Sequence, residues 1–257
     1  VYYMHSADDG LTFTQPVDIT DVLNKFRKDY DWSVCATGPG HGIQLSTGRL
    51  VVPIWLSTGE GKGGHRPSAV STIFSDDHGI TWHCGQIITQ HNDEVINPSE
   101  TCIVALSDGW VLANIRNESS PCRRLIAASP DGAHDWSSPV FDPTLLEPQC
   151  MGSMVNLKSG QAAILFANPD NLDQTLPGAK DRAYDRKQLT VQITYDDCQT
   201  WDTKKVLEVG AAGYSDMTET HTGDILCFYE RDYNERMTNS KYLTLARFNR
   251  QWIYERD

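Results

Sequence analysis

The chain has 257 residues, of which 39% are hydrophobic and 9% aromatic, and its formal net charge is −12. This length can bury a large core, so we expect one domain over residues 1–257. The negative charge and the lack of a basic run argue against nucleic acid or an anionic membrane as the main partner. No segment approaches the roughly 20 apolar residues of a membrane helix, so membrane insertion is not expected.

Seven cysteines are scattered along the chain without a CxxC pair. The spacing typical of metal ligands is therefore missing, and no metal site is predicted. Most of these cysteines are interpreted as small buried apolar residues. They are Cys35, Cys84, Cys102, Cys122, Cys150, Cys198 and Cys227.

A hairpin pattern recurs four times along the chain. Each copy has an apolar run, a short polar turn that ends in glycine, and a second apolar run, which predicts two antiparallel strands. The turns end at Gly48, Gly109, Gly160 and Gly223.

A second motif alternates with the hairpins and resembles the Asp-box, S-x-D-x-G-x-T-W. Its copies are residues 6–13, 75–82, 129–136 and 194–201. The third copy shifts its glycine to Gly132, and the fourth has Cys198 instead. We expect a tight turn in which the aspartate accepts backbone hydrogen bonds, glycine supplies a positive φ, and the final aromatic residue is buried beneath. The aspartates are interpreted as structural residues.

The two motifs together give repeats of four short antiparallel strands, which is the plan of a propeller blade. The first Asp-box begins at residue 6, with no hairpin before it. We therefore expect that the chain starts inside a blade and that the propeller is open or imperfectly closed.

Three residues are candidates for a binding site, because propellers bind ligands at one end of the central channel, on strand ends and loops from several blades. Glu100 and Arg116 lie at the outer ends of the two strands of one hairpin and can converge. Charged residues at such positions are usually solvated strand ends. Tyr214 follows a run of small residues, and by itself it would be interpreted as a core residue.

The sequence resembles the exo-α-sialidase family of glycoside hydrolases over essentially its whole length. The resemblance is carried by the Asp-boxes and by residues 38–43, 100–116, 167–169, 186–191, 213–217 and 228–230. The tyrosine motif in the right order with both arginine motifs is its most specific part. It implies an all-β fold, a sialidase-type six-bladed β-propeller whose first blade is incomplete at the N terminus.

The resemblance also implies roles for individual residues. Tyr214 corresponds to the nucleophile and Glu100 to its general base, while Arg116 and Arg186 correspond to two of the three arginines that bind the substrate carboxylate. A tyrosine suits this substrate because sialic acid carries a carboxylate on its anomeric carbon, which would repel a carboxylate nucleophile. A phenol with a pKa of about 10 needs a base beside it.

Two further residues and two family elements complete the comparison. Glu230 corresponds to a carboxylate that orients the first arginine, and His41 to a residue of the pocket. The first arginine, in a Phe-Arg-Ile-Pro motif, and the aspartate that protonates the leaving group precede the first Asp-box in the family. No residue of this chain is assigned to either.

The leading hypothesis is a retaining exo-α-sialidase that removes terminal sialic acids from glycoconjugates without a cofactor. One alternative is a non-catalytic propeller that binds carbohydrate, which glycan binding without release of free sugar would reveal. Another is a hydrolase of a different acidic sugar, which a substrate panel would reveal. The family resemblance slightly favours a secreted or periplasmic location.

Overall fold

The computed structural model describes residues 1–60, 64–176, 184–233 and 240–255. Within these ranges the regular structure is almost entirely β-strand, with short helical segments near both ends. The strands are β1 (Tyr2–Tyr3), β2 (Val17–Asp18), β3 (Val34–Thr37), β4 (Ile43–Gln44), β5 (Leu50–Glu60), β6 (Arg66–Ser75), β7 (His83–Cys84), β8 (Thr89–Gln90), β9 (Thr101–Ala105), β10 (Val111–Ile115), β11 (Arg123–Ser129), β12 (Val140–Leu146), β13 (Ser153–Leu157), β14 (Ala163–Pro169), β15 (Lys187–Thr194), β16 (Thr203–Glu219), β17 (Ile225–Tyr233) and β18 (Ser240–Phe248). The helices are α1 (Thr20–Leu23), a 3-10 helix (Asn24–Lys28) and α2 (Arg250–Tyr254).

Three large antiparallel sheets follow one another along the chain. The first has the order β3-β5-β6-β7, with β4 paired to β5 and β8 to β6, and the second is the meander β9 to β12. The third runs from β13 to β18, and β1 pairs with β2 in a separate sheet. The 17-residue strand β16 pairs first with β15 and then with β17. The predicted all-β class is confirmed.

The sheets have the up-and-down strand order of propeller blades. The first sheet has four strands in its main order and the second sheet has four in all. If the third sheet is divided at β16, it supplies one unit from β13 to β16 and a last unit that consists of β16, β17 and β18, so the described residues supply four such units. This is fewer than the six blades that the resemblance implies, so the six-bladed ring stays a prediction.

The four predicted hairpins are confirmed. Their turns join β4 to β5, β9 to β10, β13 to β14 and β16 to β17. Gly109 and Gly160 have φ angles of 89° and 74°, a region that residues with a Cβ atom rarely adopt. An added Cβ at either glycine would meet nothing within 4 Å, so the backbone angle and not the space requires glycine.

The aspartates of the Asp-boxes make the expected hydrogen bonds. Asp77 accepts from the backbone N–H of Thr81 at 2.8 Å and from its hydroxyl at 2.6 Å, while the Ser75 hydroxyl donates to it at 2.8 Å. The boxes at residues 6–13 and 194–201 repeat the two threonine contacts. In the third box, Asp131 accepts instead from the backbone N–H groups of residues 133 and 134.

The aromatic residues of the boxes differ from one another in burial. Trp82, Trp136 and Trp201 are half-buried and pack against the hydrophobic core, as expected. Phe13 is 58% exposed, so the expectation is wrong for the first box. This box lies beside the two-stranded β1-β2 sheet, and so small a sheet offers too little apolar surface to bury the ring.

The interpretation of the cysteines holds for most of them. Cys102, Cys150, Cys198 and Cys227 are buried, and the other three are partly buried. Within the described ranges, no group of three or more histidine, cysteine, aspartate or glutamate residues could hold a metal ion. Among those residues there is also no helix long and apolar enough to cross a membrane.

The core lies between successive sheets. Val51 and Val70 of the first sheet pack with Ile103 and Val111 of the second. A second cluster joins the other face of the second sheet to Phe166 and its neighbours in the third. The sheets are therefore held side by side, and strands from all three end in one region.

Replacement of Asp77 by asparagine should lower the temperature of thermal unfolding, because the charged acceptor for both Thr81 bonds is lost. Those bonds lower the pKa of Asp77 from 3.8 to about 2. A carboxylate whose pKa falls on folding stabilises the protein fully when the pH is above the pKa of the unfolded state. This stabilisation is lost as the pH falls through the pKa of the folded state. The difference in Tm should therefore shrink between about pH 4 and about pH 2.

The matched control is Asp93→Asn, which removes the same charge from an exposed side chain. It should leave Tm nearly unchanged across the pH range. Equal effects of the two substitutions would contradict a structural role for the Asp-box carboxylate.

Candidate active site

A cavity of about 380 Å³ opens where the three large sheets meet. Five of the residues singled out in the sequence line it: Glu100, Arg116, Arg186, Tyr214 and Glu230. They come from different sheets, so the packing of the sheets and not local sequence brings them together.

The first two of these residues are brought together by one hairpin. Glu100 immediately precedes β9 and Arg116 immediately follows β10, and the backbone N–H of Arg116 donates to the carbonyl of Glu100 at 3.1 Å. The Arg116 guanidinium also pairs with the Glu100 carboxylate. The antiparallel register thus produces the convergence that the sequence predicted.

Tyr214 is positioned by an irregularity in β16. The register of β16 with β17 shifts between Ala212 and Ser215, and such bulges redirect side chains. A Cβ atom on Gly213 would lie only 1.7 Å from the Tyr233 hydroxyl oxygen, so glycine is the residue that fits beside the tyrosine. The small residues that precede Tyr214 are thus explained by close packing.

The phenol of Tyr214 joins the charged pair on the neighbouring sheet. Its hydroxyl donates to the Glu100 carboxylate and accepts from the Arg116 guanidinium at 2.9 Å. The side chains of Glu100 and Arg116 are only 15% and 14% exposed. The contact is therefore sheltered from water but accessible from the cavity.

Burial also sets the ionisation of this cluster. It raises the pKa of Tyr214 to about 12, the nearby Arg116 opposes this increase, and Glu100 adds to it. Burial disfavours the charged form of Arg116, but the nearby Glu100 carboxylate favours that form more strongly, so the pKa of Arg116 is raised. At neutral pH the phenol is therefore protonated beside a permanent cation, with a carboxylate in position to accept its proton.

Arg186 lies on the other side of the tyrosine, immediately before β15. Its guanidinium carbon is 5.0 Å from the centre of the Tyr214 ring, and its Nη2 donates to the carbonyl of Gln149 at 3.0 Å. Its Nε has no partner among the described residues. The cavity therefore contains two nearly buried guanidinium groups, one bonded to the phenol oxygen and one over the phenol ring.

Glu230 supports the backbone of the tyrosine. One carboxylate oxygen accepts from the backbone N–H of Tyr214 and from the hydroxyl of Tyr233, each at 3.1 Å. In the structure, Glu230 thus fixes the segment that carries the phenol. Its implied contact with a further arginine stays a prediction.

His41 is not among the residues that line this cavity. Its Nδ1 lies 2.8 Å from a carboxylate oxygen of Asp216, and it lines a second cavity of about 470 Å³ together with Leu106 and Ser107. Those two residues belong to the β9-β10 turn, at the opposite end of the hairpin from Glu100. His41 therefore lies beside Asp216, two residues after Tyr214 on β16, but it does not line the cavity that contains Glu100 and Tyr214, and its implied place in the pocket stays a prediction.

The opposite wall of the cavity contains residues that the sequence analysis missed. Arg66 donates from Nε to the Glu118 carboxylate at 2.8 Å, and the Asn97 amide donates to the same carboxylate at 2.8 Å. Trp55 and His65 stack nearby, with ring centres 5.3 Å apart. Glu118 could have been noticed from its position two residues after Arg116, but no sequence signal marks Arg66.

Comparison with known proteins gives a consistent family. The model of the BNR repeat-like domain matches residues 1–227. A sialidase from Micromonospora viridifaciens is 30% identical over 259 residues, which cover 96% of this chain and 35% of that protein. An exo-alpha-sialidase from Arthroderma benhamiae is 30% identical over 265 residues, 98% of this chain and 56% of its own length. The chain thus spans about a third to just over half of these relatives.

Solved structures agree with this comparison. The Hadza microbial sialidase Hz136 superposes with a TM-score of 0.74 and 27% identity, over 98% of this chain and 44% of that one. The intramolecular trans-sialidase from Ruminococcus gnavus gives a TM-score of 0.73 over 100% of this chain and 51% of that one, and at 21% identity it supports the fold alone. From the matched repeats, the relatives and the fold, we conclude that the chain belongs to the sialidase family of BNR-repeat proteins.

Proposed function

We propose that this chain carries the active site of a retaining exo-α-sialidase that cleaves terminal sialic acids from glycans. The observation that carries the proposal is the contact of the Tyr214 phenol with both Glu100 and Arg116 at the wall of one cavity. A half-buried phenol paired with a carboxylate is an unusual combination, and it suits a substrate that repels carboxylate nucleophiles.

The substrate carboxylate binds to Arg116 and Arg186. Guanidinium groups suit this task because their planar donors can pair with both carboxylate oxygens and remain charged at all relevant pH values. Both arginines are already nearly buried, so an incoming anion meets cations that water screens little. Binding there places the anomeric carbon, which bears the carboxylate, beside Tyr214.

The reaction then proceeds through a covalent intermediate. As the Tyr214 oxygen bonds to the anomeric carbon, its proton passes to Glu100, and the bond from that carbon to the aglycone oxygen breaks with its electron pair. The departing oxygen takes up a proton from solvent. A water molecule then displaces the tyrosine from the anomeric carbon and releases a proton to solvent, while Glu100 returns its proton to the Tyr214 oxygen, so two inversions give net retention.

We also propose that residues 1–257 form one part of a six-bladed propeller. The last sheet supports this, because Phe228 and Leu245 are paired on neighbouring strands and are 49% and 61% exposed. Leu243, on the same strand as Leu245, is 65% exposed. An apolar sheet face of this kind is suited to packing against a further blade.

Substitution of Tyr214 by phenylalanine should abolish cleavage of an aryl α-sialoside, with a loss of at least about 10³-fold, because the nucleophilic oxygen is removed. The aryl substrate is chosen because its leaving group departs with little help from an acid. Release of the aryl alcohol is measured at saturating substrate. Tyr254→Phe is the control, since this tyrosine is 47% exposed in α2, remote from the cavity.

Each outcome of that experiment has a clear interpretation. If wild type and Tyr214→Phe release aryl alcohol at equal rates, Tyr214 is not the nucleophile. If the wild type binds sialosides but releases no sugar, the chain is a carbohydrate-binding module and the proposed hydrolysis is wrong.

Substitution of Glu100 by glutamine should lower kcat/KM by about 10²- to 10⁴-fold, because the base that accepts the phenol proton is lost. The residual rate should rise with pH, since Tyr214, whose pKa burial still raises after the Glu100 charge is removed, must then ionise unaided. Below that pKa, the phenolate fraction increases about tenfold for each pH unit. A residual activity with the pH profile of the wild type would show that Glu100 is not the base.

A further inference from the structure

We propose that the buried ion pair of Arg124 and Glu147 is a positioning device that sets the distance between Arg116 and Arg186. The inference rests on the proposed function, because it assigns the pair a role in binding the substrate carboxylate. Neither Arg124 nor Glu147 lines the cavity. They act through the backbone that carries the two substrate-binding arginines.

The pair is enclosed to a degree that stability alone does not explain. Arg124 is 0% exposed and Glu147 is 1% exposed, with Nη1 of the arginine 2.5 Å from a carboxylate oxygen. Removing two charges from water costs several kcal/mol per ion, and apolar residues of similar size often stabilise a core equally well. A pair of this kind is explained better by the geometry that it fixes.

One end of the pair holds the strand that leads to Arg116. Arg124, on β11, donates from Nε to the side-chain oxygen of Asn114 at 2.5 Å and from Nη2 to the carbonyl of Asn114 at 3.1 Å. Asn114 lies on β10, two residues before Arg116. The guanidinium of Arg124 thus fixes the end of the strand from which Arg116 projects.

The other end of the pair holds the loop that contacts Arg186. Glu147 accepts from the backbone N–H of Cys150 at 3.0 Å, and Arg124 donates to the carbonyl of the same residue at 3.0 Å. Gln149, which lies between Glu147 and Cys150 in the chain, has a φ of 58°, a conformation that is uncommon for a residue with a side chain. The carbonyl of Gln149 accepts the hydrogen bond from Arg186.

These contacts form one continuous path between the two substrate-binding arginines. Arg116 follows Asn114, which Arg124 holds, and Arg124 and Glu147 together hold the loop whose carbonyl binds Arg186. A carboxylate bound between two guanidinium groups needs both at the correct spacing, and a displacement of about 1 Å can cost about 10²-fold in function. Without the pair, the loop and the strand are free to shift relative to each other.

The test uses the double variant Arg124→Met/Glu147→Leu, which replaces the pair by apolar side chains and leaves no single buried charge. Binding is measured by calorimetry for 2,3-dehydro-2-deoxy-sialic acid and for its methyl ester, which lacks the charged carboxylate. In the variant, Kd for the acid should rise about 10- to 100-fold, while Kd for the ester changes less than about twofold. With an aryl sialoside, KM should rise more than kcat falls.

The matched control is Arg247→Met/Asp224→Asn, which removes an ion pair from the turn end of the third sheet. It should leave the preference for the acid over the ester unchanged. Should the first double variant fail to fold, Arg124→Lys replaces it. This substitution keeps a positive charge beside Glu147 but lacks the planar set of donors that bonds Asn114, so the preference should fall in it as well.

The outcomes separate this inference from the proposed function. A folded variant with the wild-type preference for the acid would overturn the positioning role, and so would an equal loss of binding for acid and ester. If the wild type itself does not prefer the acid, the proposed binding of a carboxylate by Arg116 and Arg186 is wrong, and the inference is wrong with it.

Discussion

The second sheet of this chain is apolar on both faces and buries them against the sheets before and after it. The strand β10 shows this arrangement most directly. Its residues Val111, Ala113 and Ile115 pack toward the first sheet, whereas Leu112 packs toward the third. Because side chains alternate along a strand, the second sheet has no face for water, and it must lie between two neighbours. The location of the candidate site depends on this stacking.

The stacking separates the elements that hold the fold from those that carry the chemistry. The hairpin glycines and the Asp-box aspartates lie at the turns, and the charged residues of the β9-β10 hairpin lie at its other end. Asp8 and Asp77 are half-buried and Asp196 is exposed, and local hydrogen bonds lower the pKa of each to about 2. Glu100 and Tyr214 are sheltered and make contact with each other across two sheets. Local turns thus stabilise one end, while long-range packing assembles the other.

The cavity brings three arginines together with three glutamates in a molecule that is negatively charged as a whole. The chain carries a formal net charge of −12, yet Arg66, Arg116 and Arg186 all line one cavity. Arg66 is already paired with Glu118, whereas Arg186 makes its side-chain contacts with a carbonyl and an aromatic ring. If the proposed function is correct, attraction of the anionic sugar must come from these few nearby arginines, since the field of the whole protein would repel it.

The sequence by itself determined the parts of the structure that form over short distances. Positive φ angles at Gly109 and Gly160, the Asp-box hydrogen bonds and the convergence of Glu100 with Arg116 all follow from turns and from the register of a single hairpin. Residue patterns fix these features because the interacting groups are only a few residues apart or directly opposite each other. The roles of the site residues came from the family resemblance, which the comparisons confirmed at the level of the family.

Only the tertiary structure decided which distant residues meet. Tyr214 contacts Glu100 across 114 positions of the chain, and Arg66 reaches Glu118 across 52. The tertiary structure also placed His41 outside the cavity and left Phe13 exposed. Such contacts depend on how whole sheets pack and on where one strand shifts its register, as β16 does beside Tyr214. No local pattern encodes them, because each is the sum of many side-chain contacts between segments far apart in the sequence.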